Sequence, residues 1–147
     1  MWVLLACAVV GLTAFGVMVQ SVTSSDKITL ADATRRFDAP RISSGRPVLE
    51  LAPDGSVIRR HPSYASAPTE LECVNVCVYR TKTQRFIETR IPFWFLRLKA
   101  PAAQYALGGT GLDLDALGIT PGLLTQYGPA LVIDRVSPDG RVLIWTE

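Results

Sequence analysis

The sequence predicts an α+β domain behind a single transmembrane helix, on three observations. An eighteen-residue run without a charged side chain, Trp2 to Val19, opens the chain. Two Pro-Asp-Gly turns, Pro53-Asp54-Gly55 and Pro138-Asp139-Gly140, lie between apolar-rich pieces that read as strands. Between those hairpins sits a cluster of short segments with helix-start and helix-stop residues. Strands and helices are thus segregated along the chain. That order favours a small, mainly antiparallel sheet with short helices on one face.

At 1.5 Å per residue the apolar run makes a helix of roughly 27 Å, close to the thickness of a hydrocarbon core. A cleaved signal peptide wants a basic residue ahead of the run and a small-x-small cleavage site. Only the terminal amine precedes this run, and Val22-Thr23-Ser24 is a weak cleavage candidate. A lipoprotein would use Leu4-Leu5-Ala6-Cys7, but apolar residues continue well past Cys7. The uncleaved anchor, residues 1–20 with 2–19 in the membrane, fits best. Lys27, Arg35 and Arg36 follow it, so the positive-inside bias leans towards a cytoplasmic domain.

Residues 21–47 are rich in Ser, Thr, Asp, Arg and Pro, with isolated apolar residues at Ile28, Leu30, Phe37 and Ile42. Such a stretch is expected to be a flexible linker, with a helical turn at Thr29–Ala33 as its one hint of order. Residues 48–147 then form the α+β domain. Val48 to Arg60 reads as a hairpin. In Leu71 to Tyr79, Val74, Val76 and Val78 share one face; Cys73, Asn75, Cys77 and Tyr79 share the other. Thr81 to Gln84 turns the chain back into Arg85–Ile91. Pro92 opens a short helix towards Lys99, and Pro101 opens another that Gly108-Gly109 stops. Asp113 caps a turn closed by Gly118, and Thr120 caps a helix begun by Pro121. The last hairpin, Ala130 to Glu147, is apolar on both faces, which places it centrally.

The order Glu88-Thr89-Arg90-Ile91-Pro92-Phe93-Trp94-Phe95-Leu96-Arg97-Leu98, then Gly111 to Leu117, then Gly128 and the hairpin Leu131 to Glu147, resembles a small βαββ module of uncharacterised bacterial membrane-associated proteins. The resemblance covers about the last 60 residues and rests on element order, and Pro101 departs from its pattern. It implies a bacterial, non-enzymatic protein, here at the inner membrane, and it brings no chemistry with it.

A formal charge of +2 makes no case for a nucleic-acid partner, so none is expected. Three cysteines do not make a disulfide framework. On one strand the Cα atoms of Cys73 and Cys77 stand roughly 13 Å apart, beyond disulfide reach, so free buried thiols are expected. His61, the single histidine, has Ser63 and Ser66 nearby but no strained Gly-x-Ser-x-Gly turn, and it has no company for a metal. Gly108 to Gly111 reads as a helix stop rather than a phosphate loop. Asp113 and Asp115 lack further ligands for calcium. No cofactor and no metal are expected.

What stands out is a basic cluster, Arg80, Lys82, Arg85, Arg90, Arg97 and Lys99, beside Trp94. It is the candidate interaction surface. The expected function is a membrane-anchored accessory or protein-interaction domain with a protein partner. The alternatives are peripheral binding to anionic lipid through residues 80–99 and an enzyme without a recognisable motif. A domain this small can ill spare aromatic burial, so Phe93 and Phe95 are expected in the core and Trp94 partly exposed.

Overall fold

The structure, a computed structural model, describes residues 23–61, 70–97 and 110–147. In chain order these hold β1 (Thr23–Lys27), α1 (Leu30–Ser44), β2 (Leu49–Leu51), β3 (Val57–Arg60), β4 (Cys73–Arg80), β5 (Arg85–Pro92), α2 (Phe93–Arg97), α3 (Pro121–Tyr127), β6 (Leu131–Ser137) and β7 (Gly140–Thr146). The strands form one sheet in the order β1-β5-β4-β7-β6-β2-β3. Neighbours run antiparallel except β2 and β6, which pair in parallel at Leu49 and Ile133.

Three sequence expectations about the fold are corrected. The described chain is a seven-stranded sheet with three short helices, and no described helix is long and apolar enough to cross a membrane. The transmembrane, single-pass reading therefore finds no support there; its segment, Trp2–Val19, lies outside the described residues. From Thr23 on, the stretch expected as a flexible linker holds an edge strand and a fifteen-residue helix. Finally, helices pack on both faces of the sheet rather than on one.

The alternation in β4 builds both faces. Val74, Val76 and Val78 join Ile91, Val132, Val142 and Ile144 under Phe93 and Leu96 of α2 and Leu124 of α3. Thr120 caps α3 by accepting from the Leu123 amide at 3.2 Å, with Pro121 at its first position. Phe93 is buried, Phe95 half-buried, and Trp94 is 55 % exposed. On the opposite face Cys77, Tyr79, Phe86, Leu131 and Leu143 pack with Ala33 and Phe37 of α1.

Helix α1 forms for local reasons. Thr29 Oγ1 accepts from the Asp32 amide at 3.2 Å, the bond expected of an N-cap. Ala33 and Phe37 are four apart and so share the face that meets the sheet. Ion pairs bind it at two points. Arg36 meets Asp26 of β1 at 2.9 Å. Arg41 meets Asp134 of β6 at 3.2 Å, and the same carboxylate takes a two-pronged pair from Arg141 at 3.0 and 2.9 Å.

Candidate interaction surface

The basic cluster is built on the β4–β5 hairpin. Its turn closes with Gln84 at φ 50°, the one positive-φ non-glycine among the described residues. The Gln84 carbonyl accepts from the Ile28 amide at 3.1 Å, which brings the end of β1 alongside. Thr81 donates its amide to the Asp139 carbonyl at 2.9 Å, tying this turn to the β6–β7 turn.

That register makes a row of cations. Lys27 of β1 lies directly opposite Arg85 of β5, and Arg85 directly opposite Arg80 of β4. Directly paired residues share a face, so three exposed positive side chains stand side by side across three strands. Like charges so placed repel and weaken the pairing. Neither Lys27 nor Arg85 has an ion-pair partner among the described residues. Lys82 in the turn reaches Asp139 at 3.2 Å, with both side chains at least 80 % exposed, a geometry that contributes little. Beside the row lies a depression of about 510 Å³ lined by Lys27, Thr81, Lys82, Thr83, Gln84 and Arg85.

The other members of the expected surface are elsewhere. Arg90 lies roughly 17 Å along β5 from the cation row, and Trp94 and Arg97 lie in α2 beyond the strand's far end, which is roughly 24 Å from it. Arg90 donates from Nε to Cys73 Sγ at 3.1 Å and pairs with Glu147 at 2.9 Å. Arg97 stacks over the Phe93 ring at 5.2 Å, and Trp94 meets Phe95 edge-on at 5.8 Å. Lys99 lies outside the described residues. The hairpin thus brings together Arg80, Lys82 and Arg85, and adds Lys27. Sequence reasoning missed Lys27 because Thr23–Lys27 is a polar edge strand without an apolar period to mark it.

The groups weighed for chemistry have ordinary explanations. Both described cysteines are free and buried. Burial pushes the Cys73 thiol up, as does its hydrogen bond to Glu147, against the pull of Arg90. Hydrogen bonds from Cys73 and Asn75 hold Glu147 below its usual range. Burial pushes Cys77 up to about 12, so neither thiol is a ready nucleophile at neutral pH. His61 Nε2 lies 2.9 Å from Glu50 Oε1, a contact that holds Glu50 below its usual range; Ser63 and Ser66 lie outside the described residues. Among the described residues no group of three or more His, Cys, Asp or Glu is placed to hold a metal.

Cys77 makes a prediction about pH. Its folded value of about 12 lies above an ordinary 9.0, so the folded chain keeps a proton that the unfolded chain releases. The resulting stabilisation is complete below pH 9 and fades as pH rises towards 12, on the order of a few kcal/mol in all. In urea titrations at pH 8 and pH 11, Cys77→Val should lose less stability than the parent. Equal losses would show that this thiol does not set the alkaline limit.

Comparisons with protein-family models, curated proteins and solved structures give no match to the chain.

Proposed function

We propose that the protein is a non-enzymatic binding module that docks an acidic segment of a protein partner on the cation row at the β4–β5 turn. The observation that carries this reading is the register: Lys27, Arg85 and Arg80 stand opposite one another across three strands. Such a row costs stability in the free protein and gains from a ligand of opposite charge. The row itself, Lys27, Arg85 and Arg80, holds no aromatic side chain, which favours an acidic segment over a lipid surface, where aromatic and cationic groups work side by side.

Immobilised polyglutamate tests the proposal. The full chain should bind it, and binding should weaken steeply as salt rises from about 50 to 300 mM. Lys27→Gln with Arg85→Gln should lower affinity about tenfold or more, with the melting temperature unchanged or raised, because the like-charge contact is gone. Arg97→Gln should bind like the parent. Parent-like binding by the double variant would sink the proposal.

A further inference from the structure

The depression beside the cation row is distinctive in its hydrogen-bonding chemistry as well as its charge. Each of its six lining side chains can donate: Lys27, Lys82 and Arg85 through charged N–H groups, Thr81 and Thr83 through hydroxyls, Gln84 through its amide. No carboxylate lines it. Of the six, only Lys82 has a side-chain partner among the described residues, Asp139 at 3.2 Å. Six side chains that can donate, three of them cationic and none a carboxylate, favour an anion rich in oxygens.

Carboxylate and phosphate make different demands on such a place. A carboxylate brings two oxygens and one charge. A phosphate monoester brings three strong acceptor oxygens and about −1.5 to −2 charges at neutral pH. Two lysines and an arginine on one concavity match the dianion better, and a guanidinium can grip two of its oxygens at once. The two hydroxyls and the amide extend the donor set beyond what one carboxylate uses. We infer that the depression formed by Lys27, Thr81, Lys82, Thr83, Gln84 and Arg85 binds the phosphate monoester of a phosphorylated partner segment. The inference rests on the acidic-segment reading and names the group that the segment presents.

NMR titration of the ¹⁵N-labelled full chain tests it, with Gly-phosphoserine-Gly and Gly-Glu-Gly as probes at matched ionic strength. The phosphorylated probe should give saturable shifts confined to Lys27 and residues 81–85, with affinity about fivefold or more above the glutamate probe. Arg85→Lys keeps the charge and loses the fork, and should weaken the phosphorylated probe about threefold or more. Equal affinity for the two probes overturns the phosphate inference, even if polyglutamate binds as proposed. Shifts from neither probe, together with no polyglutamate binding, overturn both. Anionic phospholipid vesicles that shift these residues when the phosphorylated probe does not would overturn it in favour of a lipid surface.

Discussion

Replacing Phe37 by alanine lowers the unfolding free energy by about 3–5 kcal/mol. The ring is 1 % exposed, meets Phe86 edge-on at 5.3 Å and lies beneath the Arg141 guanidinium at 4.9 Å. Among the described side chains of helix α1, Ala33 and Phe37 are the ones buried in the core on its face of the sheet. Arg36 and Arg41 add ion pairs, to Asp26 with both side chains nearly half exposed and to Asp134, and Arg36 also lies over the Phe86 ring at 5.2 Å. The half-exposed Arg36–Asp26 pair contributes about 1 kcal/mol or less, so it cannot replace the ring. Urea denaturation gives the size of the loss. Amide exchange should show residues 30–44 opening well before the sheet. A loss below about 1 kcal/mol would mean that the ring does not dock the helix.

Gly140→Ala should be comparably damaging, at about 3 kcal/mol or more. Gly140 starts β7 at φ +151°, opposite Arg80 on one side and Ser137 on the other. A Cβ there would stand 1.8 Å from the Tyr79 carbonyl oxygen and 2.9 Å from its carbon. Those are backbone atoms of a central strand, so no rotamer change relieves the clash. β7 must move away from β4, or the turn must be rebuilt. Gly111 is the control. It also has a positive φ, but an added Cβ meets nothing within 4 Å, so Gly111→Ala should cost only the backbone term of about 1–2 kcal/mol. Similar denaturation midpoints for the two variants would refute the steric account.

Much of the sheet was legible because its strands carry strong local signals. Val74, Val76 and Val78 alternate with Cys73, Asn75, Cys77 and Tyr79, and the two sets lie on the two faces. The Pro-Asp-Gly turns join β2 to β3 and β6 to β7. Asp113 receives the Ala116 amide at 3.1 Å in the expected turn before Gly118. The helix α1 was not legible. Among its described side chains the buried ones are Ala33 and Phe37, and Pro40 within it reads as a breaker. What marked it was the cap at Thr29 and the four-residue spacing of Ala33 and Phe37, signals that mean little until a sheet is there to receive them. The parallel contact between β2 and β6 was equally silent, since no local pattern reports a long-range pairing. The basic cluster was legible in composition but not in arrangement. One strand length separates residues that are neighbours in the list of charges, and register alone recruits Lys27.

The pairing of β4 with β7 also bears on how the chain emerges from the ribosome. Strand β4 ends at Arg80 and its neighbour β7 begins at Gly140, about sixty residues later. At 5–20 residues per second, synthesis leaves one edge of β4 without its partner for roughly 3–12 s. During that interval the β4–β5 hairpin presents an open ladder and a row of valines to other nascent chains. Chains stalled before residue 140 should therefore bind a chaperone more strongly in a capture assay than chains in which residues 140–146 are out.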